Sequence, residues 1–595
     1  MTDTPTGPCY LTTPIYYVND APHIGHCYTT LVADVLARGL RLSRGVGRAE
    51  SADHIPIAGD AVFLLTGTDE HADKVVTSAE QHDKTPLEWA DINADRFRAA
   101  FDEMGFSHDD FIRTTQERHT SRVPVYLRTL LDSGDVYLGD YTGWYDDGQE
   151  EYVPENEARE ADYVSKISGK PLTKRTEQNY FFRLSAYQDT LREAIETSRF
   201  RVEPEARRNE VLGRIRDGLQ DVPISRAVED PEADVWGIRM PGDPGHRVYV
   251  WIDALFNYVT AVDTDERRSL WPATVHLVGK DILWFHAVIW PCMLMALGKA
   301  EPERNWDLPG CLYAHGWWVS EGKKMSKSMG NFIDLPTLRG YADRFGLDGV
   351  RWYLATQGPL GANDADFAYA KFVEVYNSEL ANGIGNSTSR VGNMIDKYQG
   401  GELTRECNGE FGLPGGKALG IALAARRAAG KPADDESRTF NFAESAEKAV
   451  AEAERALAEV KPDDVLRLGV SLVREVDDFI SYTAPFTLAK QLKDHEHGEL
   501  ALATILYSCA EALRIASLFM SPAMPSKMAE LWRAWGCVHL RDALDPLSGF
   551  SAPLAELARW NGSYGFKRGH TIRKGEALFM RADAAEDAPE PIDNT

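Results

Sequence analysis

The segment His23-Ile24-Gly25-His26 stands where a strand-like apolar run passes into a helical pattern. The start of a helix offers unpaired backbone N–H groups and a positive dipole potential, which attract phosphate. Two histidines three residues apart share one face of the first turn and can donate hydrogen bonds to a transferring phosphoryl group. Gly25 would let a flat base approach the backbone. We therefore predict a phosphate site here; the alternative is a pair of surface histidines that cap a helix.

A second candidate is the lysine-rich run GKKMSKS at residues 322–328. A flexible loop with clustered lysines can fold over a triphosphate and neutralise the charge that builds up in the transition state. The alternative is an exposed basic loop, which is what most lysine clusters are. Together with the histidine segment, the run indicates a site for a nucleoside triphosphate.

The elements around these segments predict a parallel α/β sheet. A strand-like run at 9–19 precedes the histidines, a helical pattern extends from about His23 to Arg41, and a second apolar run ends before Asp69. A strand followed by a helix, repeated, is typical of a parallel sheet. The pattern changes near residue 119 and resumes at RVYVWIDALFNYV, residues 247–259. We predict one Rossmann-like sheet that is split by an inserted α+β module.

After about residue 370 apolar residues recur at helical spacing, which predicts a helix bundle. Residues 400–440 are rich in glycine, alanine and charged residues, and we expect an irregular excursion there. The acidic end of the chain is predicted to be disordered. The fold class is therefore α/β, a split Rossmann-like domain followed by an all-α domain.

Composition excludes several classes of protein. Of 595 residues 43% are hydrophobic, too many for a mostly disordered chain, and the net charge of −26 would repel a polyanion except at local basic patches. The seven cysteines include no C-x-x-C pair, which argues against a disulfide framework. We find no apolar stretch near the roughly 20 residues that a membrane span needs, and no secretory signal, and so predict a cytoplasmic protein with no membrane partner.

The two segments together resemble the signature motifs of the class I aminoacyl-tRNA synthetases. The runs TTPIYYVND, TGTDEHADK, VYVWIDAL, GKDILWFHAVIWP and KKMSKSMGN are similar to the methionyl-tRNA synthetases, and the resemblance covers nearly the whole chain. It implies ATP-dependent ligation of L-methionine to its cognate tRNA through methionyl-adenylate, which supplies methionyl-tRNA for initiation and elongation. ATP and Mg2+ are the implied cofactors, and no covalent enzyme intermediate is required.

The resemblance also assigns residues to ATP. His23 and His26 would stabilise the α-phosphate region, and Lys324 and Lys327 would hold the β- and γ-phosphates. These four are the implied catalytic residues. The implied ATP-binding set is His23, Gly25, His26, Gly279, Asp281, Lys324, Ser326 and Lys327.

For methionine, the resemblance implies a largely aromatic pocket built from Pro14, Ile15, Tyr17, Asp69, Trp251, Tyr258, Phe285, His286 and Trp290. Asp69 would bind the ammonium group, and the rings would surround the thioether. Tyr17 and His286 could donate hydrogen bonds to the sulfur. From spacing alone, however, the aromatic residues are more typical of an ordinary core.

Two features depart from the usual family pattern. Many members carry cysteine-rich zinc knuckles in the inserted module, whereas YTGWYDDGQEE at residues 141–151 has carboxylates and no cysteine. The chain resembles the zinc-free branch, and we expect no structural zinc and assign no residue as a metal ligand. The family reads the CAU anticodon with an Asn and an Arg four residues apart, matched by Asn386 and Arg390, and with a Trp after a proline, which is Phe486 here. Phe can still stack on a base, and its exposure would favour that role over plain helix packing.

The implied division of the chain is 1–118 for the first half of the catalytic domain, 119–235 for the connective module, 236–320 for the second half, 321–369 for the lysine loop and stem-contact module, 370–550 for the anticodon-binding domain and 551–595 for a C-terminal extension. We expect the protein to lack the appended tRNA-binding domain that many relatives carry. Because that domain often mediates dimerisation, we expect a monomer.

Two alternatives stay open. One is a class I synthetase for leucine, isoleucine or valine, although those chains are generally longer because they insert an editing domain. The other is a non-catalytic tRNA-binding or regulatory paralogue, which would typically have lost one of the two motifs.

Overall fold

The computed structural model describes residues 7–18, 22–47, 61–146, 151–153, 155–165, 169–228, 236–320, 323–325, 332–411, 417–435, 437–537, 550 and 552–583. The strands are β1 Cys9–Tyr17, β2 Val62–Asp69, β3 Asp110–Arg113, β4 Val136–Asp146, β5 Glu151–Val153, β6 Thr173–Phe182, β7 Arg201–Glu203, β8 Val222–Pro223, β9 Ser225–Ala227, β10 Arg239–Met240, β11 Asp243–Val248, β12 Val275–Gly279, β13 Cys311–His315, β14 Trp318–Ser320, β15 Lys323–Lys324, β16 Ala365–Phe367, β17 Glu410–Phe411 and β18 Phe440–Asn441.

The α-helices are α1 Ile24–Arg44, α2 Asp73–Gln81, α3 Pro86–Glu103, α4 Glu117–Thr120, α5 Val123–Asp132, α6 Glu155–Glu160, α7 Gln188–Glu196, α8 Glu205–Arg216, α9 Val250–Leu255, α10 Asn257–Thr260, α11 Trp290–Ala300, α12 Leu335–Phe345, α13 Leu347–Gln357, α14 Tyr369–Val375, α15 Asn386–Gln399, α16 Lys417–Ala428, α17 Phe442–Ala458, α18 Pro462–Thr483, α19 Pro485–Leu488, α20 Gly498–Met520, α21 Pro525–Ala534 and α22 Leu554–Leu557. Short 3-10 turns lie at Leu184–Tyr187, Arg268–Leu270, Lys280–Ile282 and Leu492–Asp494, and π-helical segments at Phe285–Ile289 and Tyr376–Gly385.

The central sheet has six strands in the order β3-β2-β1-β12-β13-β7, and every neighbouring pair is parallel. This confirms the predicted α/β fold class. β2 and β13 are buried along their whole length, as expected for a parallel sheet that helices cover on both faces. The chain builds outward from β1 to β2 and β3, and then returns to the other side of β1 with β12. Ligands bind at the carboxyl ends of the strands at such a switch point.

The region between β3 and β12 forms two small antiparallel sheets, in the orders β5-β4-β6-β8 and β10-β11-β9. The expectation that 247–259 resumes the central sheet was wrong. β11 ends at Val248 within the smaller antiparallel sheet, and α9 and α10 follow. β7 lies inside the range predicted for the connective module and yet pairs with β13 in the central sheet. The predicted domain division therefore stays a proposal, and this pairing favours a shorter module.

The helices after residue 370 pack as a bundle in which α20 contacts α15, α16, α17 and α18. The expectation of an irregular excursion over 400–440 was wrong for Lys417–Ala428, which is α16. Its buried residues Leu419, Ala422 and Leu423 recur at helical spacing and face α20. Residues 48–60 and the acidic end 584–595 lie outside the described residues.

The sequence-based prediction that no apolar stretch is long enough to cross a membrane was wrong for α20. Gly498–Met520 is long and apolar enough by length and composition alone. A helix that is apolar all round belongs either in a bilayer or in a protein core. In this bundle 94% of its most apolar window is buried inside the protein, so α20 serves as the core helix of the bundle.

Arg351, on α13, joins the central sheet to the bundle. Its side chain is fully buried, and its guanidinium donates to Oδ2 of Asp34 on α1 at 2.6 Å and to the carbonyl of Met104 at 2.9 Å. It also donates to the carbonyls of Pro522 and Ala523, just after α20, at 3.2 and 3.0 Å. One cation therefore satisfies polar groups from three separate parts of the chain.

The carboxyl of Asp34 is ionised because of its partners. Burial alone would raise its pKa, but Arg38 and Arg351 hold the pKa well below its ordinary value. Ser107 adds hydrogen bonds to Oδ1 from its backbone N–H and its hydroxyl. Buried charges are tolerated only when they are paired and hydrogen-bonded in this way.

We expect Arg351→Met to lower the free energy of unfolding by roughly 3–5 kcal/mol, because it leaves buried carbonyls unsatisfied and a buried carboxylate short of a partner. Urea unfolding followed by tryptophan fluorescence measures the change. Arg339→Met is the matched control, because its ion pair with Glu103 is partly exposed, and we expect a loss of about 1 kcal/mol or less. Equal losses in the two variants would contradict the special role of Arg351.

Candidate active site

The tip of α1 is capped by the two histidines that the sequence singled out. His23 is the N-cap, and its Nδ1 accepts a hydrogen bond from the backbone N–H of Gly25 at 3.0 Å. Nδ1 of His26 accepts from the N–H of His23 at 3.4 Å, and the two rings stack with centroids 3.8 Å apart. Because both Nδ1 atoms accept, a neutral ring carries its proton on Nε2. Nε2–H is therefore the hydrogen-bond donor of each neutral ring.

His26 is neutral at physiological pH. The pKa of His26 lies well below the ordinary value, because the ring is shielded from water and the neighbouring His23 disfavours a second positive charge. Gly25 is confined, because a Cβ there would lie 2.9 Å from Cε1 of His23. The tip of α1 thus combines backbone N–H groups with two oriented ring donors, as a phosphate site requires.

The chain that follows the lysine-rich loop is docked on this helix tip. The backbone N–H of Ile24 donates to the carbonyl of Ile333 at 3.1 Å, and His23 forms an antiparallel bridge with Asp334. The ring of Phe332 meets the ring of His23 edge to face at 5.1 Å. Two segments that are some 300 residues apart in sequence therefore lie side by side.

At the N-terminal end of the loop, β15 pairs with β14, with Lys324 opposite Val319. Ser326 and Lys327 lie outside the described residues. Lys327 stands five residues before Phe332, and five residues of extended chain reach at most about 17 Å. The role of Ser326 and Lys327 toward phosphate therefore stays a proposal.

The carboxyl end of β12 forms the neighbouring part of the site. Gly279 is its last residue and pairs with His315 of β13. Oδ1 of Asp281 accepts a hydrogen bond from the indole N–H of Trp317 at 3.1 Å. A Cβ on Gly279 would lie 2.5 Å from that oxygen, so the close approach of Asp281 requires glycine. Both residues therefore lie at the carboxyl end of β12, next to β1 in the sheet, where the chain direction of the sheet switches.

Asp69, the last residue of β2, is a buried acidic residue that forms no ion pair with any described residue. It is 2% exposed, and within the part of the chain that the structure describes its Oδ1 has no hydrogen-bond partner. Burial, together with the charges of Asp253 and Glu70, raises its pKa well above the ordinary value. An unpaired buried carboxyl is energetically costly, so the site fits a ligand that carries a positive charge.

Tyr17 lies opposite Asp69 in the pairing of β1 with β2.

A buried cluster beside Asp69 was not singled out by the sequence. Asp253 accepts hydrogen bonds from Nδ1 of His71 at 2.6 Å and from Nε2 of His119 at 2.8 Å. Burial alone would raise the pKa of Asp253, but the two histidines hold it well below its ordinary value. His71 and Asp253 do stand within the runs TGTDEHADK and VYVWIDAL, which was the available signal. A fixed negative charge therefore lies next to Asp69 and favours a cation there.

Aromatic rings line the space beyond Tyr17. Its ring meets the ring of Trp251 edge to face at 5.7 Å, and Trp251 stacks on Phe285 with centroids 4.3 Å apart. Tyr258 is 1% exposed. Among the described residues the hydroxyl of Tyr17 has no hydrogen-bond partner, which leaves it available to a ligand.

Both ring nitrogens of His286 are occupied. Nδ1 donates to the carbonyl of Ile282 at 3.0 Å, so Nε2 accepts from the hydroxyl of Tyr258 at 2.7 Å. Burial lowers the pKa of His286 to about 4, so the ring is neutral. In this arrangement the ring has no N–H left for a sulfur atom, and of the two predicted sulfur donors only Tyr17 fits.

The remaining predicted pocket residues lie at different depths. Trp290 is fully buried, and its indole N–H donates to Nε2 of His276 at 3.2 Å, which places it behind Tyr258. Pro14 cannot donate to the sheet ladder, and the register of β1 shifts between Thr12 and Ile15. Ile15 is half-buried and packs against the core around Trp290.

The predicted anticodon residues lie in the bundle. Asn386 is exposed on α15, and Arg390, one turn later, pairs with Asp477 of α18 at 3.6 Å. Phe486 on α19 is 46% exposed, whereas Pro485 and Leu488 of the same turn are buried. An aromatic ring left in solvent favours stacking on a base over plain helix packing.

Comparison with known proteins agrees with these features. A family model described as tRNA synthetases class I (M) matches residues 9–161 and 156–392. The chain is 39% identical to the methionine–tRNA ligase of Streptomyces coelicolor, covering 96% of each chain, and 35% identical to that of Caldanaerobacter subterraneus subsp. tengcongensis, covering 97% of this chain and 79% of the relative. The structure of Mycobacterium tuberculosis methionyl-tRNA synthetase bound by methionyl-adenylate matches 96% of this chain and 100% of its own, at 30% identity and a TM-score of 0.76.

The low pKa of His286 predicts a pH dependence of stability. Its ordinary pKa is 6.5 and its folded pKa is about 4, so the unfolded chain binds more protons between these values. The free energy of unfolding therefore falls as pH falls through this window. His286→Gln removes this contribution. When pH is lowered from 6.5 to 4, the free energy of unfolding of the variant should therefore fall by roughly 3 kcal/mol less than that of the wild type.

Urea unfolding at several pH values between 4 and 7 provides the measurement. His82→Gln is the matched control, since His82 is exposed, and its curve should run parallel to that of the wild type. If the His286→Gln curve also ran parallel, the buried neutral histidine would not be the source of the slope.

Proposed function

The chain belongs to the class I methionyl-tRNA synthetases, and from this premise we propose how its residues carry out the reaction. The enzyme ligates L-methionine to tRNA with ATP, through methionyl-adenylate. The observation that carries the assignment of residues is the contact between Ile24 and Ile333, because it holds the ends of the two phosphate-binding segments together. Neither motif could serve a single triphosphate without that proximity.

Methionine binds with its ammonium group against Asp69. The substrate supplies the positive charge that this buried carboxyl lacks, and the charge of Asp253 behind it adds to the attraction. The thioether lies among the rings of Trp251, Tyr258 and Phe285, where a polarizable sulfur packs well. The hydroxyl of Tyr17 is the donor for the sulfur.

Activation is an in-line displacement at the α-phosphate of ATP. A carboxylate oxygen of methionine forms the new bond to phosphorus, and the bond from phosphorus to the bridging oxygen of pyrophosphate breaks. The Nε2–H groups of His23 and His26 donate to the α-phosphate, while Lys324 and Lys327 hold the β- and γ-phosphates. Such a step is catalysed by positioning and charge neutralisation, with Ser326, Gly25, Gly279 and Asp281 completing the ATP site.

Mg2+ is implied by the family. Among the described residues no group of three or more His, Cys, Asp or Glu side chains could hold a metal ion. Mg2+ is commonly bound by substrate phosphates with one or two carboxylates, so the phosphates of ATP would be its main ligands. When bound, the ion would neutralise phosphate charge.

The methionyl group then passes to the terminal ribose of the tRNA, and the CAU anticodon is read by Asn386, Arg390 and Phe486. We further propose that the enzyme is cytoplasmic and monomeric and needs no structural zinc. Methionine–tRNA ligases among the relatives disfavour the alternatives of a leucine, isoleucine or valine enzyme.

ATP–pyrophosphate exchange with single amino acids tests the function directly. We expect exchange with methionine and none above background with leucine, isoleucine or valine. Exchange with leucine alone would refute the specificity, and no exchange with any amino acid would favour a non-catalytic paralogue.

In the same assay Lys327→Ala should lower the exchange rate by roughly 100-fold while the methionine affinity stays nearly constant, because its interaction grows in the transition state. Lys323→Ala, the neighbouring lysine outside the motif, is the matched control and should lose less than about 5-fold. Parallel loss of rate and methionine affinity in Lys327→Ala would contradict phosphate clamping.

Arg390→Ala should lower kcat/KM for tRNA in aminoacylation by roughly 10- to 100-fold, because a charged hydrogen bond to a base is lost. Exchange, which needs no tRNA, should be unchanged. Lys397→Ala, exposed on the same helix, serves as the control. A collapse of exchange in Arg390→Ala would assign Arg390 to structure instead.

The purified chain should show a one-chain mass of 66.3 kDa by light scattering and well under one zinc per chain by elemental analysis. Treatment with a chelator should leave the melting temperature unchanged, because no cysteine-rich knuckle is present to lose its metal. A dimer mass would refute the monomer, and stoichiometric zinc would refute the zinc-free module.

A further inference from the structure

The helix α16 and the chain after it have no role in the function described so far. This α16 segment, residues 417–435 and 437–441, packs against the carboxyl end of α18 and against α19. α19 is the short turn that carries the exposed Phe486. The segment therefore contacts the support of a residue proposed to meet an anticodon base.

Arg426 makes the principal contact. Its Nη1 donates to the carbonyls of Ser481 and Tyr482 at 3.0 and 2.7 Å. Its other nitrogens donate to the carbonyls of Lys431 and Pro432, at 2.9 and 3.3 Å, within its own segment. One planar guanidinium thus ties the chain after α16 to the end of α18.

The position of this cation is favourable for a second reason. The last carbonyls of a helix lack intrahelical partners and lie at the negative end of the helix dipole. Ser481 and Tyr482 are within the last turn of α18, so Arg426 satisfies groups that would otherwise face water or remain unpaired. A guanidinium with its fork of donors suits two adjacent carbonyls better than an ammonium does.

Arg438 adds a second link between the same two parts. It pairs with Asp478 at 3.1 Å and lies over the ring of Tyr482, 5.5 Å from the centroid. It also lies over Phe440, at 5.1 Å. The α16 segment therefore holds the final two turns of α18 from one side.

The residue that follows α18 needs such support. Ala484 has φ 44° and ψ 58°, the left-handed conformation that residues with a Cβ adopt infrequently. This residue sets the direction in which α19 leaves α18, and Phe486 follows two residues later. The carbonyls that Arg426 holds immediately precede Ala484.

We infer that Arg426 is a positioning residue for anticodon recognition. It holds the turn between α18 and α19 in the conformation that presents the ring of Phe486 to a base of the tRNA anticodon loop. Arg426 acts through Phe486 and does not itself contact RNA. The inference rests on the proposed stacking role of Phe486.

Aminoacylation kinetics with varied tRNA concentration test it. Arg426→Gln should lower kcat/KM for tRNA by roughly 10-fold, mainly through a higher KM, since it weakens one stacking contact. Methionine-dependent pyrophosphate exchange should stay within about 2-fold of wild type, because exchange does not require tRNA and so does not depend on the anticodon contact. A comparable loss of exchange would mean a general folding defect and would overturn the inference.

Two further variants separate geometry from charge. Arg426→Lys keeps the positive charge but loses the forked guanidinium donors, so its kcat/KM for tRNA should fall as in Arg426→Gln. A kcat/KM equal to that of the wild type would indicate a phosphate contact and overturn the positioning role. Lys431→Gln removes an exposed charge from the same segment and keeps the carbonyl that Arg426 uses, so it should match the wild type. A loss as large as that of Arg426→Gln would point to the charge of the segment instead.

A double-mutant cycle with Phe486→Ala decides whether Arg426 acts through that ring. The double variant should be no worse than Phe486→Ala alone. Additive losses would overturn the inference while leaving the stacking role of Phe486 intact. An unaltered kcat/KM in Phe486→Ala would overturn both that role and the inference, so the two failures are distinguishable.

Discussion

The antiparallel contact between the tip of α1 and the chain at Phe332–Asp334 is the interaction on which the active site depends. It anchors one end of the lysine-rich loop at the histidines, while the pairing of Lys324 with Val319 anchors the other end at β14. The loop is therefore held at both ends beside the switch point of the sheet.

Much of this architecture was predictable because its signals are local. The apolar runs of β1 and β2, the helical spacing after residue 370 and the two motifs each lie within a short stretch of sequence. The apolar runs and the helical spacing predicted the sheet and the bundle correctly, whereas the phosphate site stays a proposal. The second apolar run also predicted that Asp69 stands at the end of a strand.

The features that sequence could not supply depend on distant partners. β7 belongs to the central sheet because it pairs with β13, which lies more than 100 residues later in the sequence. The cluster of Asp253, His71 and His119 likewise joins residues from three separate segments. The prediction that His286 donates a hydrogen bond to the methionine sulfur was wrong in this arrangement. The carbonyl of Ile282 and the hydroxyl of Tyr258 occupy both ring nitrogens and fix the tautomer. α20 shows the same limit, since composition alone cannot distinguish the centre of a bundle from a bilayer.

In the proposed methionine pocket, the isolation of the Asp69 carboxyl affects which forms of the amino acid can bind. With Asp253 and Glu70 as its neighbours, this carboxyl gains most from a ligand that brings a full positive charge. A methionine whose nitrogen is acylated, or one already within a peptide, is neutral at that atom and would leave the carboxyl as poorly compensated as before. The pocket would thereby exclude blocked or incorporated methionine by charge balance, without any steric barrier.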